Sequence, residues 1–311
     1  MLARDVAPLI DAAAARIYAV INETPLVPMG SAFAKLEQLQ ITGSFKLRGA
    51  TNKLMSLSKA EAAAGVITSS TGNHGLGVAT AAQFLGIDAE VFLCTQVTPA
   101  KRDKITACGA RVRIVGADPL AAETAARSAA AESGRTYVSP YNDPYVVAGQ
   151  GTIAVELIRQ APDLDAIFIA VGGGGLISGI GSHLRRAAPH VEIVGCWPEA
   201  SPVLYRCLEA GRIFDAPELP TLSESTAGGV EADSITFALC AEVMHRGVLV
   251  SEQDILGAMR WGHSQGWSME GASGVALAAY FKEAANYAHK KVVVLICGGN
   301  PSPAIAALLD G

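Results

Sequence analysis

Along almost the whole chain, short apolar runs alternate with alanine-rich stretches of helical pattern, and this alternation constrains the fold more than any other feature. The runs at 65–69, 89–93, 111–115, 136–138, 166–171, 192–196 and 292–297 read as strands. Between them, 75–85, 100–107, 119–133, 147–160 and 176–187 read as helices. Strands buried on both faces are continuously apolar, so the pattern predicts an α/β fold with mostly parallel sheet. In open sheets of that kind the ligand crevice lies beyond the carboxyl ends of the strands. Loops that follow strands are therefore where function is expected.

Composition narrows the partners. The 311 residues carry a net charge of −5 with no basic run, which argues against nucleic acid and against an anionic membrane surface. Apolar stretches break at glycine or charge before membrane-spanning length, and the N-terminus shows no signal-peptide pattern. Six cysteines, at 94, 108, 196, 207, 240 and 297, include no Cys-x-x-Cys pair, so neither structural zinc nor a disulfide framework is expected. The expectation is a soluble cytoplasmic protein that acts on a small molecule and holds no metal.

Four places carry unusual chemistry. Lys46 stands between Phe45 and Leu47 in Gly-Ser-Phe-Lys-Leu-Arg, near the head of a helical pattern over 44–55. An ammonium among apolar groups loses hydration; its pKa falls, and the neutral amine can form a Schiff base. The alternative is a surface lysine with a buried stem. Val171 is followed by Gly172, Gly173, Gly174, Gly175 and Leu176, which end one strand and open a helix. Consecutive glycines let N–H groups crowd an anion, and phosphate is the obvious guest. A dinucleotide loop is the competing reading, with Glu199 at about the ribose-binding distance. Ser69-Ser-Thr-Gly-Asn-His-Gly75 offers hydroxyls and amides to a carboxylate, and Asn73 offers its amide to a phenolic oxygen. Helix capping accounts for one of these residues but hardly five; His74 is given no catalytic role. Cys297, in Cys-Gly-Gly-Asn, reads alone as core and gains interest from its place on the same sheet edge.

A reactive lysine, a phosphate cradle and a carboxylate-gripping loop together describe pyridoxal-phosphate chemistry. The chain resembles the serine/threonine dehydratase and serine racemase group of fold-type-II pyridoxal-phosphate enzymes over nearly its whole length. Gly-Ser-Phe-Lys-Leu-Arg-Gly-Ala (43–50) is similar to that group's Schiff-base lysine motif, which implies Lys46 as the catalytic lysine with Phe45 beside the cofactor. Ser70, Thr71, Asn73 and His74 fall in its substrate-carboxylate loop, with Asn73 on the residue that contacts the cofactor O3′. Gly172 to Leu176 match the phosphate cup, and Cys297 falls on the Ser/Cys facing the pyridine nitrogen. The resemblance implies two open, twisted, mostly parallel sheets flanked by helices. A small inserted domain would span 44–141, and a large cofactor-binding domain 1–43 plus 142–311. It also implies a homodimer.

The implied reaction converts a β-hydroxy amino acid such as L-threonine or L-serine to a 2-oxo acid and ammonia. Lys46, displaced from the cofactor by the substrate amine, removes the α-proton, and the β-hydroxyl leaves. A neutral thiol at Cys297 cannot stabilise a protonated pyridine, which favours prompt elimination. Thr71 stands where the racemases carry a serine, so dehydration is expected over racemisation. Trp197 and Val203 stand where metal-activated members have acidic residues, with Glu199 one residue out of register, so no divalent-metal site is expected. The last strand lies close to the end of the sequence, so no regulatory domain is expected. Gly228-Gly-Val-Glu-Ala-Asp233 is expected beside the cofactor ring, and Glu270 reads as a carboxylate favoured by a helix dipole. With Thr71 and Trp197-Pro-Glu, these segments are similar to a subgroup of hydroxyectoine-utilisation dehydratases. A 3-hydroxyaspartate-type dehydratase, an amino-acid racemase and a non-catalytic cofactor-binding protein are the alternatives.

Overall fold

The computed structural model describes residues 1–309, and ten strands within it form two sheets. In chain order these are β1 (Leu26–Met29), β2 (Ala32–Leu36), β3 (Val66–Ser69), β4 (Ala89–Leu93), β5 (Arg111–Ile114), β6 (Thr136–Tyr137), β7 (Ala166–Ala170), β8 (Glu192–Pro198), β9 (Arg246–Val250) and β10 (Val292–Ile296). One sheet has the order β5-β4-β3-β6 and is wholly parallel. The other runs β1-β2-β10-β7-β8-β9 and is parallel except for the β1/β2 hairpin. No helix among the described residues is long and apolar enough to cross a membrane.

The expected strands are present within two residues at either end. Three others do not show in the apolar pattern. β1 is four residues long and contains Pro28, which an edge strand tolerates because its outer N–H has no partner to lose. It turns into β2 through Gly30 and Ser31, with Gly30 at φ +59°. β9 is the opposite edge, and Arg246 and Gly247 open it, so its half-exposed face masks the apolar signal. Gly65, expected to begin a strand, instead ends the helix Lys59–Ala64 at φ +89°.

Local sequence fixes the helix ends. Asp118 accepts from Ala121 N–H ahead of Pro119, and Gly134 closes the helix Pro119–Ser133 at φ +68°. Asp143 accepts from the Tyr145 and Val146 N–H groups ahead of Pro144 and so starts Pro144–Gln160. That helix is the seat for two others. A Cβ at Gly149 would fall 2.6 Å from Gly49 Cα, so the helix Lys46–Met55 crosses it at backbone contact. A Cβ at Gly179 would fall 2.7 Å from Gly151 N, so the helix Gly175–Ala187 does the same two residues along. One rigid element thereby sets the spacing between the lysine and the glycine run.

A buried ion network locks the lysine helix further. Arg48 Nε and Nη2 each donate to Glu37 at 2.8 Å, and Nη1 donates to Glu156 at 2.5 Å and to Thr152 at 3.1 Å. Lys35 donates to the other Glu156 oxygen, and all four charged side chains have zero exposure. Paired fork geometry of this kind is what lets charge remain inside a protein.

Candidate active site

The carboxyl ends of β3, β7 and β10 open onto one cavity of about 950 Å³ between the two sheets. Phe45, Lys46, Ser70, Thr71, Asn73, His74, Gly172, Gly173, Gly174, Gly175, Leu176 and Cys297 all line it. The lysine, the glycine run, the loop after β3 and Cys297 therefore converge. The weld is visible in the backbone: Phe45 N–H donates to Cys297 O at 3.0 Å, and Gly299 N–H to Gly43 O at 2.9 Å. Ser44 bridges Gly298, so the lysine turn and the loop after β10 are one piece.

Lys46 is the first residue of its helix, and its Nζ donates to Pro140 O at 2.9 Å. Burial pushes the amine down to about 8, against the opposing pull of Glu270 and Cys297. Burial pushes the Cys297 thiol up, so it stays protonated, with Ser273 Oγ 3.6 Å away. Glu270 and Cys297 thus place one carboxyl and one neutral thiol around a soft amine.

The helix Gly175–Ala187 begins without any side-chain cap. Its first N–H groups have no acceptor within the helix, and the dipole adds positive potential there. Protein packing already demands glycine in this loop, which the sequence reading did not anticipate. A Cβ at Gly173 would lie 2.5 Å from the Tyr141 ring. Gly174 has φ +82°, and a Cβ there would lie 2.7 Å from Cys240 Sγ. Phosphate is therefore not needed to explain the glycines, but an uncapped helix N-terminus at the cavity wall still favours an anion.

The loop after β3 is a second donor surface. Ser70 Oγ accepts from Gly72 N–H at 3.2 Å, and Asn73 begins a helix with no side-chain cap. Asn73 is held on both ends: its Nδ2 donates to Glu270 at 2.7 Å and its Oδ1 accepts from Asn300 Nδ2 at 2.8 Å. The His74 ring is committed elsewhere, with Nε2 3.0 Å from Val138 O. Burial, and then the charge of Lys46, pushes this imidazole down to about 3, so it is neutral.

Glu270 corrects the sequence reading. It does stand at the N-cap of Gly271–Glu283, but its carboxylate caps nothing. It accepts from Asn73 and from Ser225 Oγ, at 3.1 Å, and burial raises its pKa. Gly298 makes room for it, since a Cβ there would lie 2.7 Å from the Glu270 carboxyl carbon. Tyr141 and Ser225 are further lining residues that sequence did not single out. Of the segment 228–233, Gly228 and Gly229 reach the cavity, whereas Glu231 turns to Arg127 and Asn142 at 2.8 and 3.0 Å. Glu199, the residue the nucleotide reading needs, is exposed 4.0 Å from Lys282 and does not line the cavity.

Comparison with known proteins agrees with this geometry. The profile of the family described as pyridoxal-phosphate dependent enzyme matches residues 17–298. This chain belongs to that family. It is 38% identical over 272 residues to an L-threonine ammonia-lyase of Thermotoga maritima, covering 87% of this chain and 67% of that one. It is 36% identical over 272 residues to a beta-hydroxyaspartate dehydratase of Paracoccus denitrificans, covering 86% and 85%. The structure of the processed form of threonine deaminase isoform 2 from Solanum lycopersicum superimposes with a TM-score of 0.93 at 31% identity, over 98% of this chain and 92% of that one. The protein is thus a pyridoxal-phosphate enzyme of the serine/threonine dehydratase and racemase group, with the fold-type-II architecture. Its cavity fits that cofactor: a depressed lysine for the aldehyde, an uncapped helix end for the phosphate, and a neutral thiol on a third wall.

Proposed function

We propose that this enzyme is an ammonia-lyase that dehydrates and deaminates a β-hydroxy amino acid, with L-threonine or L-serine as the substrate, to a 2-oxo acid and ammonia. The observation that carries the reading is Lys46, a lysine lowered to about 8 in a cavity whose other walls are two uncapped helix ends. The bound cofactor supplies an electron sink for the substrate's α-carbon. Lys46 Nζ would hold the cofactor aldehyde in the resting enzyme and, once free, would take the α-proton. A softened amine suits this, because a base poised near working pH is deprotonated without being too weak.

The remaining roles follow from position. The Asn73, His74 and Gly75 N–H groups, with the Ser70 and Thr71 hydroxyls, hold the substrate carboxylate. Asn73, which gives one amide proton to Glu270, would have its other for the cofactor O3′. Gly172, Gly173, Gly174, Gly175 and Leu176 would hold the phosphate, Phe45 would border the ring, and Cys297, a neutral thiol, would meet the pyridine nitrogen without charging it. We propose a homodimer as the working unit, a small domain at 44–141 and a large one at 1–43 plus 142–311.

One observation favours a second reading. Thr71 lines the cavity and carries a hydroxyl, so proton return to the opposite face of the substrate, and with it racemisation, has a candidate donor. The test is to supply the holoenzyme with L-threonine, L-serine and 3-hydroxyaspartate while measuring 2-oxo acid, ammonia and the D-enantiomer. Release of 2-oxo acid and ammonia in equal amounts supports the lyase. D-enantiomer without ammonia assigns a racemase, and no turnover of any of the three removes the reading.

A further inference from the structure

The glycine loop has a back as well as a front. Its front lines the cavity; its back is covered by the helix Ile235–Val243, none of whose residues lines the cavity. Thr236, fully buried on that helix, donates its hydroxyl proton to Gly173 O at 2.6 Å. The polarity of this contact is fixed. Thr236 has one hydroxyl proton, already given, so Ser234 Oγ, 2.6 Å away, must donate to Thr236, while itself accepting from Thr236 N–H at 3.3 Å. The next carbonyl, Gly174 O, is held by Ser178 N–H at 3.0 Å and by Cys240 Sγ at 3.7 Å.

In a trans peptide the C=O and the following N–H point in opposite directions. Pinning Gly173 O to the rear therefore turns Gly174 N–H to the front. Glycine at 174 has no side chain to hold its own peptide plane, and the left-handed φ of +82° is one of several it can adopt. Without a rear anchor the plane is free to rotate and present a carbonyl, which repels an anion.

We infer that Thr236 is a positioning residue for the anion cradle: its hydroxyl, oriented by Ser234, pins the Gly173–Gly174 peptide so that Gly174 N–H faces the cavity. The inference rests on the reading that this loop takes the cofactor phosphate. The glycines create the possibility of a cradle, and a residue more than sixty positions along the chain selects which way it faces.

The test compares Thr236→Ser, Thr236→Cys and Thr236→Val with the parent protein. Each apoprotein is titrated with pyridoxal 5′-phosphate and, separately, with pyridoxal, which lacks the phosphate, and binding is read by absorbance. Thr236→Val is expected to weaken the phosphorylated ligand about tenfold, equivalent to ~1.4 kcal/mol, and to leave pyridoxal unchanged. Thr236→Ser should keep the parent preference, and Thr236→Cys, with a weaker donor, should fall between. Unchanged pyridoxal binding shows that the variant is folded. If Thr236→Val does not fold, the order parent, Ser, Cys still decides the matter. A parent that prefers the phosphorylated ligand while the foldable variants prefer it equally overturns the role of Thr236. A parent that binds both ligands equally overturns the phosphate reading of the loop itself, and the inference with it.

Discussion

Replacing Arg48 by methionine removes one cation from a buried set of two cations and two anions. Glu37 loses both arms of its fork and keeps only the Thr24 hydroxyl at 2.5 Å; Glu156 keeps Lys35. Removing one partner of a buried pair costs about 3–5 kcal/mol, because the surviving charge has no water to turn to. Unfolding entropy of roughly 2.1 cal/mol/K per residue gives about 0.65 kcal/mol/K for a chain of this length, so the midpoint should fall by about 5–8 °C. The pH dependence has a defined sign. Burial pushes Glu156 up, and Arg48 and Lys35 more than reverse it, so its folded pKa is lowered. That contribution is present above the unfolded carboxylate pKa and is lost as pH falls through the folded value. Arg48→Met removes the larger of the two causes that lower it, so its deficit should be largest near neutral pH and shrink as pH drops through the carboxylate range. Thermal unfolding followed by circular dichroism measures this. Adding Glu37→Gln should restore part of the loss, since no uncompensated carboxylate then remains at that position. A midpoint change under about 1 °C, or a double variant no better than the single one, would refute the account of the network.

Other consequences are equally open to measurement. His74 is neutral when folded and its pKa is pushed down to about 3, so the unfolded state binds more protons between about pH 6.5 and about 3. Stability should fall as pH drops through that window, and His74→Gln should flatten the fall; an unchanged acid profile would show the ring is not held neutral. Gly173→Ala places a methyl group 2.5 Å from the Tyr141 ring, so the loop must shift. Cofactor affinity should drop about tenfold or more, read by absorbance titration, and unaltered affinity would mean the loop is not the phosphate seat. Glu270→Gln removes an anion that favours the ammonium of Lys46, so the amine should titrate at lower pH. Competitive acetylation of the apoprotein followed by peptide mass spectrometry reports this, and a shift to higher pH would contradict it.

Much of this architecture is legible in the sequence, for reasons that can be named. The run at 89–93 and the helix at 119–133 carry their own evidence, an uninterrupted apolar strand and an Asp-Pro start with a glycine stop. The edge strands β1 and β9 do not, because an edge is only half buried and tolerates Pro28 or Arg246. The loops of the site announce themselves through residues that local structure does not need. Glu270 does not, because its partners Asn73 and Ser225 lie 197 and 45 positions away and only the fold brings them together. Arg48, Glu37, Glu156 and Lys35 look like surface charges in the sequence for the same reason. The glycine run shows the opposite hazard: the glycines that read as a phosphate loop are ones that packing against Tyr141, Cys240 and Thr226 already requires.

The most direct test of the central claim is to reduce the holoenzyme with borohydride, digest it, and locate the modified lysine by mass spectrometry. A single phosphopyridoxyl group is expected on Lys46, lost in Lys46→Ala together with turnover. Modification of Lys101 or Lys104, which also line the cavity, or full turnover by Lys46→Ala, would contradict it.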